Sequence, residues 1–160
     1  VIVAAPWIVA GLVTVGFVAV ARNDARTWQV AVRHAIAITG LAVVGLGAVG
    51  VAAGHWTHLV TAAVSALFIT SVQIVPYLLQ RRRGTAAIGK ADVRLAVPFG
   101  WTLGYFGLGF ALVGFAVALV SGLGFAVVTR RQRVPFVPFL AIGLAAGLVW
   151  AAVIAVGSPA

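Results

Sequence analysis

The chain is a succession of long apolar runs, at residues 1–21, 34–54, 56–80, 93–128 and 135–156. Its charges are almost confined to the breaks between them. A helix needs about 20 apolar residues to cross a hydrocarbon core roughly 30 Å thick, and these runs reach or exceed that length. Of the 160 residues, 63% are hydrophobic and 8% charged, and the mean hydropathy is +1.17. A soluble domain carries roughly 25% charged residues, and one this small cannot hide such a surplus of apolar side chains from water. The surplus must face lipid. A soluble enzyme, a disordered regulator and a nucleic-acid-binding module are excluded on that ground.

The run at 93–128 is too long for one helix. Gly104, Gly107 and Gly109 interrupt it, with Pro98 upstream, and the pattern predicts two helices joined by a tight turn at Gly104. The expected fold is therefore all-α: a polytopic membrane protein, one membrane domain over residues 1–160. Its six spans are predicted at about 1–21, 34–54, 56–80, 93–105, 107–128 and 135–156. Residues 1–21 lack the basic start and small-residue cleavage site of a signal peptide, so they are expected to stay as the first span. The absence of Met, even at position 1, leaves an alternative start codon and a start farther upstream equally open.

Orientation follows from charge. Eleven Lys and Arg stand against two Asp and no Glu, for a net charge of +9. The basic residues cluster at Arg22, Arg26 and Arg33, at Arg81, Arg82, Arg83, Lys90 and Arg94, and at Arg130, Arg131 and Arg133. These are alternate loops of the six-span arrangement. Under the positive-inside rule they are cytoplasmic and both termini lie outside. The partner implied by the charge is the membrane surface rather than nucleic acid, with Arg81–Arg83 available to anionic lipid. Trp7, His55, Trp56 and His58 then fall at the outer interface, where amphipathic rings anchor. Four-residue spacings of small residues, Gly50/Gly54, Gly100/Gly104 and Gly143/Gly147, are expected to serve close helix packing.

Asp24 and Asp92 are the only acids. Both are predicted at the cytoplasmic boundary, one after the first span and one before the fourth. Two adjacent carboxyls share a proton because both cannot ionise cheaply. Such a pair supplies one general base and one general acid and can activate water for attack on a peptide carbonyl. The simpler reading is that each balances a neighbour, Asp24 with Arg22 or Arg26 and Asp92 with Lys90 or Arg94.

The stretch IGKADVRLAVPFGWTLG, from Ile88 to Gly104, resembles the GxGD signature of the prepilin peptidases, membrane aspartic proteases that cleave leaders from type IV pilin precursors. Gly89, Lys90, Ala91 and Asp92 stand at the signature, followed by Val93, Arg94 and Leu95. Asp24, Arg26, Thr27 and Val30 resemble the family's first aspartate motif. Pro135, Phe136, Pro138 and Phe139 resemble the Pro–Phe run before its last helix. Ala91 stands where the family has its second signature Gly, Ala31 and Val32 where Pro and Asn are usual, and Arg94 where Lys is usual. The family's larger members carry a Cys-rich N-terminal insertion; this chain has no Cys and is similar to the minimal form.

The resemblance implies an aspartic endopeptidase in the cytoplasmic membrane of a prokaryote. Asp24 and Asp92 would be catalytic, and Arg26, Thr27, Gly89, Lys90, Ala91 and Arg94 would support them. No metal or organic cofactor is implied, and the substrate would be a prepilin-like membrane protein. The departures leave a degenerate homologue acting as an assembly or scaffold subunit as the alternative, and a small proton-coupled transporter behind it. Two further constellations are weaker. Against a Ser/His dyad from His34 with Ser65, Ser71 or Ser121, the Ser121–Gly122 pair lacks the Gly two residues earlier expected of a membrane serine protease nucleophile, and His34 sits at a helix end. His55 and His58 offer two imidazoles without a further ligand, a poor metal site.

Overall fold

Each apolar run folds into helix because a backbone in lipid must satisfy its own polar groups. The structure is a computed structural model that describes residues 4–27, 30–82, 89–130 and 134–157, the side chains of 25–27 not among them. All regular structure among the described residues is helical. We number the helices α1 (Ala5–Thr27), α2 (Val32–Ala52), α3 (Trp56–Arg82), α4 (Lys90–Phe106), α5 (Leu108–Thr129) and α6 (Val137–Gly157). Within α2 the segment Leu41–Gly45 is wound as π-helix. All but α4 are long and apolar enough to cross a membrane. Their outward faces carry bare aliphatic side chains, such as Val15, Val44, Leu67, Val120 and Val153. The chain is a multi-pass membrane protein.

Helix α4 differs from the rest. It spans 17 residues and starts with Lys90, Asp92 and Arg94 in its first turns. Yet it is the helix around which the others gather. Leu95, Ala96, Phe99 and Leu103 are fully buried in the main core with Val13 and Phe17 of α1 and Leu140 and Leu144 of α6. The Phe99 ring meets Phe17 and Phe115 edge-on. Pro98 is also buried, inside the helix rather than at its end.

The turn after α4 corrects the sequence expectation. The bend is at Gly107, whose φ of 144° lies where only glycine is unstrained. Its N–H donates to the carbonyls of Leu103 and Gly104. Gly104 lies inside α4, where a Cβ would stand 2.5 Å from that of Ser65 and 2.8 Å from the Thr61 carbonyl. Gly100 approaches α3 in the same way, 2.7 Å from the Ala66 Cα. Gly143 sits against Gly114 between α6 and α5. The small residues thus mark the two tightest helix pairs. Gly54, by contrast, is a turn residue with φ 69°.

Gly104→Val therefore forces α3 and α4 apart. Overpacking of this kind costs about 1–3 kcal/mol and occasionally more. We expect a clear loss of folded protein in detergent, read by size-exclusion profile and melting temperature. Gly109→Val, where a Cβ meets nothing within 4 Å, should behave as wild type. Equal behaviour of the two variants would contradict this packing.

Helix ends sort into two groups. Trp7 near the start of α1 stacks 4.3 Å from Phe106 at the end of α4. His58 at the start of α3 donates its Nδ1–H to the Tyr105 carbonyl at 2.7 Å. The opposite end collects the ends of α1, α3 and α5 and the starts of α2, α4 and α6. The described basic residues, Arg22, Arg33, Arg81, Arg82, Lys90, Arg94 and Arg130, all belong to this second end.

Candidate active site

Both acids lie at the basic end, and both are buried: Asp24 is 4% exposed and Asp92 is 5% exposed. Asp24 sits in the last turns of α1, at the final residue of its apolar span. The helix continues through Thr27, so Asp24 is in the helix rather than after it. Asp92 is likewise inside α4, in its first turn. It stands just ahead of the apolar stretch that begins at Val93.

The local fold at Asp92 explains its position. Gly89 is the N-cap of α4, and its N–H donates to Asp92 Oδ2 at 3.0 Å. This satisfies one of the orphan donors of a helix start and fixes the carboxyl over the helix terminus. A Cβ on residue 89 would lie 3.2 Å from the same oxygen, so the glycine leaves room for the carboxyl. Burial pushes the Asp92 carboxyl up to about 7 from the ordinary 3.8. The Gly89 N–H pulls it partly back, and the Asp24 charge adds a smaller upward push. The two acids, 68 positions apart in sequence, are thus within electrostatic reach of one another.

The flanking signature residues are distributed differently. Lys90 is exposed and Ala91 half-buried against the core. No non-glycine residue but Arg130 has positive φ among the described residues, so Ala91 sits in helix without backbone strain. Arg94 turns toward α2, lining a groove with Val32, Ala35 and Thr39. No ion pair joins Asp92 to Lys90 or Arg94 among the described residues, which weakens the charge-balancing reading for this acid. Arg26 and Thr27 end α1, with side chains outside the described set, and Ile88 lies outside it altogether.

The residue that sequence reasoning missed is Gln73. It is 5% exposed on α3, and neither its Oε1 nor its Nε2 has a partner among the described residues. An unsatisfied buried amide costs about 1–3 kcal/mol. Gln73 and Asp92 line the same cavity, of about 300 Å³, otherwise walled by apolar residues of α3 and α5 and by Val134 and Phe136. A signal was present: a glutamine well inside an apolar run, three residues before Pro76, is a polar group in the membrane.

Compared with family models, curated proteins and solved structures, the chain matches none.

The weaker constellations do not assemble. Ser71 spends its hydroxyl on the Leu67 carbonyl of its own helix. Ser65 is buried against Gly104, and His34 is exposed at the start of α2. His55 and His58 have ring centroids 5.1 Å apart. No group of three or more His, Cys, Asp or Glu that could hold a metal occurs among the described residues.

Proposed function

We propose that the chain is a membrane aspartic endopeptidase of the prepilin peptidase type, with Asp24 and Asp92 as its acid–base pair. The observation that carries this reading is that the only two acids, from helices distant in sequence, are both buried at one end of the bundle and interact electrostatically. Burying two like charges near each other is costly unless they share a proton. A pair with one proton holds a water between a base and an acid. The base takes a proton from that water as its oxygen attacks the scissile carbonyl, and the acid protonates the leaving amine. Asp92 is the group whose surroundings favour holding the proton near neutral pH.

The substrate class is the one the motif resemblance implies, and the position of the acids agrees with it. The acids stand at the end of the bundle that carries the arginines, which the positive-inside rule makes cytoplasmic. Water and an extended leader meet the apolar segment of a membrane precursor at such a boundary. A helical segment must also unwind before its carbonyls can be attacked, and the boundary is where that is cheapest. In this reading residues 93–105 of α4 form a sixth crossing within the ring of longer helices. The termini are extracytoplasmic and the membrane is the cytoplasmic one of a prokaryote.

The test is cleavage of a pilin-like precursor by the purified protein in detergent, followed by mass spectrometry of the products. One cut between a basic leader and the apolar segment is expected. A folded wild-type chain that binds the precursor without cutting it would instead be the scaffold subunit. The orientation is checked separately. His55→Cys and Thr129→Cys are both exposed positions at opposite ends, and a membrane-impermeant thiol reagent should label only the first from outside intact cells. Labelling of both from one side would rule out this topology.

A further inference from the structure

We propose that Gln73 binds the backbone of an unwound peptide segment in the cavity beside Asp92, whose apolar walls take one of that segment's hydrophobic side chains. This rests on the peptidase reading only in taking the bound segment to be the one that is cut. Two independent features of α3 point to a backbone ligand. The Gln73 amide is more than nine-tenths buried, lines the cavity and has both polar ends unpartnered among the described residues. Pro76, also in the lining, has no N–H to return to the Val72 carbonyl one turn earlier. One turn of helix thus brings an unpartnered amide side chain and a break in the backbone hydrogen bonding to the wall of this cavity.

That set suits a peptide whose own hydrogen bonds are open. An extended residue offers one N–H and one C=O, which an amide side chain can bind together. A helical segment has neither free, so the site selects for unwinding next to Asp92. An acyl chain would fill the apolar walls but leave the Gln73 amide and the Asp92 carboxyl facing hydrocarbon. Size agrees. About 300 Å³ is at the low end of ligand cavities, enough for one large side chain and its backbone. Val72 and Leu123 in the lining are themselves exposed on the bundle's outer surface, so a membrane segment can reach the cavity from the lipid side.

The experiment uses the whole protein in detergent. The probe is a fluorescein-labelled peptide in which a short Lys/Gly leader joins a Leu/Ala segment of membrane-spanning length, with benzoylphenylalanine at the junction. Photocrosslinks are expected on Phe115, Leu119 or Leu123. Gln73→Leu should fold as well as wild type or better, because it removes an unpartnered amide, yet bind the peptide about tenfold more weakly. Gln73→Asn should recover part of that affinity. Crosslinks elsewhere, or equal binding by Gln73→Leu, would overturn the proposal. So would displacement of the peptide by oleate with equal strength in wild type and Gln73→Leu, the mark of an acyl-chain site. Gln73-dependent binding with no cleavage by wild type would leave this site standing and remove the peptidase reading alone. Cleavage with a KM unchanged by Gln73→Leu would do the reverse.

Discussion

Asp24→Asn and Asp92→Asn are each expected to slow precursor cleavage by at least about a thousandfold, with the double variant little worse than either. Non-additivity is the informative part. Two groups that share a proton act as one unit, so removing the second after the first costs almost nothing further. If each acid merely supported the fold, the single variants would retain activity in proportion to the protein that folds. The double variant would then lose clearly more than either single one, since only a modest electrostatic coupling would join the two. The pH profile of the wild type gives a second handle. Activity should be bell-shaped. Its alkaline limb should fall near the pH at which Asp92 releases its proton, about 7. Asp92→Glu tests geometry at constant charge. An extra methylene carries the carboxyl away from the Gly89 N–H that anchors it at 3.0 Å, and activity should not return. Full activity in Asp92→Glu, or a profile that rises steadily through pH 9, would remove the shared-proton mechanism.

How far the sequence foretold the structure depends on what kind of physics each feature uses. Helix positions were legible because lipid demands length and apolarity, both local properties: the boundaries expected for the last two runs, 107–128 and 135–156, fall within a residue or two of α5 and α6. That Asp24 and Asp92 stand at the same end was legible, because successive antiparallel helices put the end of α1 and the start of α4 on one side. The turn was not. Gly104, Gly107 and Gly109 look alike in a string, and only backbone conformation and the neighbouring α3 distinguish a φ of 144° from a helix contact. The π segment Leu41–Gly45 has no proline or charge to announce it. The character of α4 was half legible: its apolar stretch reads as a span, while its burial among the other helices is a property of the assembled bundle. Gln73 is marked in the sequence only by an amide well inside an apolar run. An uncharged amide in an apolar run is as expensive as it is inconspicuous.

Asp92→Asn is also expected to make the protein more stable at pH 8 than wild type, while leaving it close to wild type at pH 4. The unfolded carboxyl releases its proton near 3.8 and the folded one near 7. Between those values the folded chain holds a proton that the unfolded chain has lost. Stability therefore falls as pH rises through this window, by about 1.4 kcal/mol per pH unit, and is level above it. The full window corresponds to a ceiling of about 4 kcal/mol. Asparagine carries no charge at any pH and its Oδ1 can still accept the Gly89 N–H. It should abolish this slope without losing the helix cap. Thermal or urea denaturation in one detergent across pH 4 to 8, wild type against Asp92→Asn, isolates the contribution. Every other ionisable group is common to both proteins, so its contribution cancels in the difference. Parallel curves would mean that Asp92 is ionised and comfortable in the folded chain, and the shared proton would have no physical basis. A variant that is more stable yet inactive would separate what position 92 costs the fold from what it supplies to the chemistry. A buried acid retained for structure alone would not show that opposition.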